Sequence, residues 1–516
     1  MYPSEEFQII PFQECSSNFW PSGVFDFVQK SNSEASESVL RKISSIIHEL
    51  NFLNSDNNVI QSNWHTKKIE TLKFPSILFR TESIIPSENG KFDYSINNRP
   101  LIYGTKTSLI ILYTNETHLQ LFKPLINSIA FSLSYQSLIN VRYQSIKNTV
   151  QIHAEIIKCN SSDEMFLIID GGNIVGLEET IIFAKTKKPD AAVFVLTLKK
   201  LKKLLNEKEM TKFQRILNIK MGGLNHTPNY DKFLAINTVD VKPNEILFLS
   251  HLFLPPQSSN IIGTTGFAFN YMPLKCQPIG QISFQFTNRT QFYSLHKFCE
   301  SIISKIELQG VNFPKIVFIG TIDNDDRKEI CEFNAKMDLN IIQKHFNQKQ
   351  ILIYLSFTKE HTFRAFKYDG NLQIGACIDD PIDENSFYLV TQQFSNSSSQ
   401  PLLKVRILLN QPKLSKASIK YYIFTQCFCN QITLESDPYP ATIMFSKKLA
   451  HKGVKVIEAL KKHSPTSFSG IAEDDARYCN KAIAFQNIKY QCMDIDGDDE
   501  DENVENEKKI VKSRKT

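Results

Sequence analysis

The sequence predicts an α/β protein of two successive units, a parallel sheet covered by helices on both faces and then a larger mixed sheet. Three observations predict it. Short, almost wholly apolar runs recur at TSLIILY (107–113), MFLIIDGG (165–172) and AAVFVLTL (191–198), each followed by an amphipathic stretch, which is how buried parallel strands joined by helices read. A second series begins near Ile246, with SNIIGTTGFAF, GQISFQFT, PKIVFIGT, KQILIYLSF and FYLVTQQF. Its early strands follow one another closely before helical patterns at about 291–309 and 326–346 intervene, an order that predicts a mixed sheet.

Taken in order, residues 1–95 are rich in Ser and Asn, with one helical pattern from about Glu37 to Leu53 carried by Val39, Ile43, Ile46, Ile47 and Leu50; this reads as a linker-like region. Residues 96–225 hold the first unit and 226–464 the second, whose order of elements is that of ribonuclease H-like folds. From 465 to 516 the chain turns acidic and then basic, ending DIDGDDEDENVENEKKIVKSRKT, and is expected to be disordered. Asp494, Asp496, Asp498 and Glu505 approach a calcium-loop spacing, but Asp499 stands where the sharp turn needs Gly. The terminal KKIVKSRK reads as solvated charge or as a nuclear address.

Hydrophobic residues make up 42% and charged residues 22% of 516. No run approaches the eighteen or so apolar residues of a membrane span, so a soluble, intracellular chain with no membrane partner is expected, cytoplasmic or nuclear. The ten cysteines show no metal or redox spacing, the tightest pair being Cys427 and Cys429; buried free thiols are expected. Between Lys185 and Lys220 eleven Lys and Arg face three Asp and Glu, so this segment carries the whole excess of a chain whose net charge is +5. Within it, KKLKKLL at 199–205 reads either as an amphipathic helix with a solvated basic face or as part of an anion pocket.

NIKMGGLNH at 218–226, at the end of an apolar helical pattern, resembles the junction between the MID and PIWI domains of Argonaute proteins, where a Lys-x-Gly-Gly-x-Asn motif closes a pocket for the end of a guide strand. KFPSILFR at 73–80 resembles the family's linker into MID. GACID at 375–379, FYLVTQQFSNSSSQP at 387–401 and DPYPATIMFSKKLAHKG at 437–453 resemble successive PIWI segments. The similarity runs in the family's order over about 37–460, with degenerate worm-type Argonautes looking closest; the amino-terminal and PAZ domains are missing from it. The resemblance implies a Rossmann-like MID domain at 96–225 and a ribonuclease H-like PIWI domain at 226–464.

It also implies four catalytic positions. They fall on Thr265, Gln291, Thr321 and Gln392, all uncharged, whereas cleavage on such a sheet needs two divalent metals held by carboxylates. No metal, cofactor or slicing activity is therefore expected. Asp323, Asp325 and Asp326, just beyond Thr321, read as caps for the helix that follows.

For the guide's 5′-phosphate the resemblance implies Lys220, with Phe183 stacking on the first base and Lys187 beside it; Lys199 and Arg215 adjoin family positions that here are Leu198 and Ile216. A buried phosphate needs both charge compensation and hydrogen bonds, which is why lysines converge on it. FTKEHTFRAF at 357–366 resembles the strand that lines the guide backbone, with Lys359, His361 and Arg364 as candidates, although exposed strand residues would read the same. The expectation is a small-RNA-binding, non-cutting Argonaute-like protein acting in gene silencing. Its partners would be a single-stranded guide RNA, the paired target RNA and silencing effector proteins. The alternatives are a protein-interaction scaffold that no longer binds RNA and a divergent active ribonuclease.

Overall fold

The computed structural model describes residues 69–463, short stretches such as 93–99, 256–261, 287–292 and 364–371 excepted, together with 488–491. The helical pattern at 37–53, Gln291, Arg364, Asp325 and Asp326 lie outside the described residues. The region read as linker-like contributes three short strands, β1 (Glu70–Thr71), β2 (Ile77–Leu78) and β3 (Ser83–Ile84).

The first unit runs β4 (Ser108–Tyr113), α1 (Glu116–Leu133), β5 (Asn140–Ser145), α2 (Thr149–Lys158), β6 (Glu164–Asp170), α3 (Leu177–Lys187), β7 (Ala192–Thr197), α4 (Leu198–Lys203) and α5 (Glu207–Lys220). Its four strands are parallel, in the order β5-β4-β6-β7. Successive strand residues face opposite ways, and here both faces are covered. Leu109 and Ile111 pack with Phe122 of α1 and Leu217 of α5, while Ile110 and Leu112 pack with Ile152 of α2 and Ile181 of α3. This is the doubly wound arrangement that the apolar runs predict. Asn148 caps α2 by accepting from Gln151 N (3.1 Å), and Thr197 caps α4 by accepting from Lys200 N (3.3 Å).

β8 (Thr227–Pro228) returns to pair with β2, and α6 (Asp231–Ile236) leads into the second unit. There follow β9 (Ile246–Leu254), β10 (Ile262–Tyr271), β11 (Ile279–Phe286), α7 (Tyr293–Leu308), β12 (Ile316–Ile322), α8 (Lys328–His345), β13 (Ile351–Thr358), β14 (Ala376–Asp379), β15 (Ser386–Leu389), β16 (Leu403–Asn410), α9 (Lys416–Gln426), α10 (Ala441–His463) and β17 (Ile488–Gln491). They form a ten-stranded mixed sheet, β1-β14-β15-β16-β13-β12-β9-β10-β11-β17. β12 lies parallel to both β9 and β13, and the other pairings are antiparallel. Strand β17 sits in the stretch expected to be disordered; pairing with β11 gives its backbone the hydrogen bonds that a tail would take from water.

Leu247, Leu249, Val317, Ile319, Leu352 and Tyr354 face α7 and α8, whereas Phe248, Phe318, Ile353 and Leu355 face α9 and the start of α10. Gly266 lets α10 lie against β10, since a Cβ there would meet the Ser446 carbonyl at 2.0 Å. The six cysteine thiols among the described residues are buried and are not in disulfides. No helix among them is long and apolar enough to cross a membrane.

Candidate nucleic-acid interface

The junction motif is built by hydrogen bonds as much as by glycine. Helix α5 stops at Lys220 because Gly222 takes φ +90°, a left-handed conformation that Gly adopts without strain. Gly223 leaves room for Asn218, whose amide donates to Asn225 Oδ1 (2.9 Å) and accepts from Gly104 N (2.9 Å). Asn225 donates in turn to the carbonyls of Arg215 (3.1 Å) and Gln431 (2.8 Å), and its own N–H donates to Gln431 Oε1 (2.9 Å). The two asparagines thus pin the end of α5 to a loop of the second unit.

Lys220 is only 2% exposed; its ammonium donates to the Val193 carbonyl on β7 (2.9 Å) and lies 5.4 Å from the Phe194 ring. Lys200 lies 5.9 Å from that same ring, while its neighbour Lys199, the residue expected here, is exposed. Arg215 does not join them. It is carried by the inner face of α5, is 5% exposed, and lies close enough to His226 to act on its charge. Burial first, and the Arg215 guanidinium second, push the His226 imidazole down to about 3. That ring packs between Phe79 (5.5 Å) and Phe92 (5.2 Å).

Phe183 and Lys187 stay together on α3, the ammonium 5.9 Å from the ring. Phe183 also stacks on two imidazoles, His153 of α2 (centroids 5.4 Å, planes 20° apart) and His463 at the end of α10 (5.1 Å, 14°). Helix α10 reaches α3 through Lys462 to Glu179 (2.9 Å) and Lys455 to Glu178 (3.4 Å). The bond to Lys462 is the main reason that the Glu179 carboxyl lies below its usual range.

In the second unit, Lys359 and Lys447 both lie over the Tyr439 ring, at 5.0 and 5.6 Å. His361, expected beside Lys359 on an open strand, is instead 9% exposed; its Nε2–H donates to the Leu402 carbonyl (2.8 Å) and its ring packs on Tyr388. Its place is in the packing beneath that surface.

The positions expected to be catalytic divide. The strand that opens the large sheet is β9, so Thr265 stands on the second strand, opposite Phe253 and Ser283, and is fully buried. The residue level with Thr321 on the opening strand is His251. The same register continues to Ser356 on β13, Arg406 on β16 and Ser386 on β15, a polar row across five strands. His251 Nε2 bonds Asp338 Oδ2 of α8 at 2.8 Å, and the Tyr354 hydroxyl donates to the same oxygen. Burial opposes charge on His251, but the Asp338 carboxylate outweighs it and the imidazole is raised above its usual value. Asp323 accepts from the Ser356 hydroxyl, and burial raises its carboxyl. Gln392 is spent on main chain, its amide donating to the Ser436 carbonyl (2.9 Å).

A Piwi domain family model matches residues 192–458. Among solved structures the chain is similar to the C-terminal lobe of a budding yeast Argonaute, at 10% identity and TM-score 0.65, covering 81% of this chain and 94% of that one. It is similar to Drosophila Piwi at 15% identity and TM-score 0.61, covering 74% and 53%, and to Kluyveromyces polysporus Argonaute with a guide RNA at 10% and 0.63, covering 77% and 54%. The chain therefore spans about half the length of those two proteins. No curated protein sequence matches. The Piwi match takes in more than half of the residues and runs through the junction motif, the polar row and most of α10, and by it the chain belongs to the Argonaute/Piwi family.

Proposed function

We propose that this protein binds a small single-stranded RNA by its 5′ end and pairs it with target RNA without cutting, leaving silencing to partner proteins in the cell interior. The observation that carries the reading is that Lys220 and Lys200 both lie near the Phe194 ring beside the Asn218–Asn225 junction. A terminal phosphate needs such paired cations. Specificity would come from base pairing, with the protein contacting mainly backbone.

The reading of no cleavage rests on donor chemistry. Two divalent ions about 4 Å apart require a cluster of carboxylates. The place where the parallel pairing of β9 with β12 ends offers an imidazole at His251 and a hydroxyl at Thr321, and the carboxylates there, Asp323 and Asp338, are already bonded to Ser356 and to His251 and Tyr354. This set does not fit the metals.

The test compares 5′-phosphorylated with 5′-hydroxyl single-stranded RNA across several salt concentrations. Preference for the phosphate, mostly erased by Lys220→Ala, is expected; equal, weak binding of both overturns the reading. Incubation with a paired target and magnesium or manganese is expected to leave the target whole.

A second reading, a protein-interaction scaffold without RNA, is favoured by one observation: the Lys220 ammonium already donates to Val193. Loss of phosphate preference in the same assay would select it.

A further inference from the structure

We infer that His463 holds the place of a nucleobase on Phe183, so that the last turn of α10 must leave that ring before an RNA 5′ end can stack there. The inference rests on the reading of Phe183 as the first-base platform. Single-stranded nucleic acids are held by aromatic rings next to cations, because every base offers a π-face. Phe183 has that setting, half-buried on α3 with Lys187 5.9 Å from its ring. What lies on the ring, however, is protein. The His463 imidazole is planar, aromatic and stacked within 14° of parallel at 5.1 Å, the geometry that a base would adopt.

The two stacking imidazoles differ in how they are held. His153 sits mid-helix in α2, half-buried, packed where α2 meets α3. His463 is exposed at the last residue of α10. Its helix is tied to α3 by Lys462–Glu179, Lys455–Glu178 and Lys452–Glu178 at 2.9, 3.4 and 3.9 Å, with the two glutamates 38% and 59% exposed. Ion pairs this open to water are weak and screened by salt. The cover is thus a side chain at a helix end, held by contacts that a polyanion and its counterions can compete for, over a ring whose remaining support belongs to the first unit. Displacing it exchanges one stack for another, and the ion pairs between α10 and α3 set how far the exchange runs.

The test uses the full chain and two single-stranded RNAs, 5′-phosphorylated and 5′-hydroxyl, each carrying a fluorescent base analogue at its first position. His463→Ala is expected to tighten binding several-fold and to increase quenching of the analogue; Glu178→Gln with Glu179→Gln is expected to act in the same direction. Phe183→Ala should weaken binding and, combined with His463→Ala, should abolish the gain, because the two changes act on one contact. If Phe183→Ala weakens binding while His463→Ala leaves both readouts unchanged, the cover is disproved and the platform stands. If no variant distinguishes phosphorylated from hydroxyl RNA, the proposed function fails and the inference with it.

Discussion

His251 and Asp338 form an ion pair shut away from solvent, Nε2 to Oδ2 2.8 Å, with side chains 5% and 1% exposed, where the parallel pairing of β9 with β12 ends. The imidazole stands on β9 and the carboxylate on α8, 87 residues apart.

This pair makes stability depend on pH from the neutral side upward. His251 is raised above its unfolded value of 6.5, so its contribution is complete below that value and is lost as pH rises through the folded one. Removing its partner with Asp338→Ala is expected to cost about 3–5 kcal/mol, since a buried charge is left uncompensated. Urea midpoints between pH 6 and 9 read both effects, and a wild-type midpoint that does not fall over that range contradicts the first.

His226 works in the opposite sense. Its folded value of about 3 lies far below 6.5, so the unfolded chain takes up a proton that the folded one refuses, and stability drops as pH falls below 6.5. The slope expected is about 1.4 kcal/mol per pH unit. His226→Phe, placed between the rings of Phe79 and Phe92, should flatten that limb when the urea midpoints are followed down to about pH 4.

Gly266→Ala is expected to destabilise by about 1–3 kcal/mol, because the new methyl meets the Ser446 carbonyl at 2.0 Å and the Ala450 nitrogen at 2.5 Å, both backbone atoms that cannot rotate away. Thermal unfolding measures it; a neutral result would show that α10 yields easily.

Lys359→Ala and Lys447→Ala are each expected to weaken RNA binding irrespective of sequence and to reduce the salt slope by about one ion, as loss of a phosphate contact does. Binding titrations at four or five salt concentrations report the slope. An unchanged slope in both would move the path of the strand away from Tyr439.

Elements buried on both faces were the ones most legible in the sequence. β4, β6, β7, β12 and β13 coincide with apolar runs, because strands covered by helices have no polar face to interrupt the run. β5 (NVRYQS) lies at the edge of its sheet, half its contacts given to water, and carries no such run. β9 is apolar too, interrupted only by Ser250 and His251, whereas the resemblance puts the first catalytic position at Thr265, one strand later. Of the candidate site, Lys220, Phe183 and Lys187 are named by the resemblance of local strings alone. The partners that decide their state, Val193, Phe194 and His463, are brought in by sheet order and helix docking over as many as 280 residues, and no local pattern encodes them.

Helix α10 is a 23-residue rod, about 35 Å long at 1.5 Å per residue, seated at one end on β9 and β10 and at the other on α3. Such a rod is a lever. A rotation at either seat is therefore carried along its length to the other, so the packing on α3 and the packing on the large sheet are joined by one rigid element.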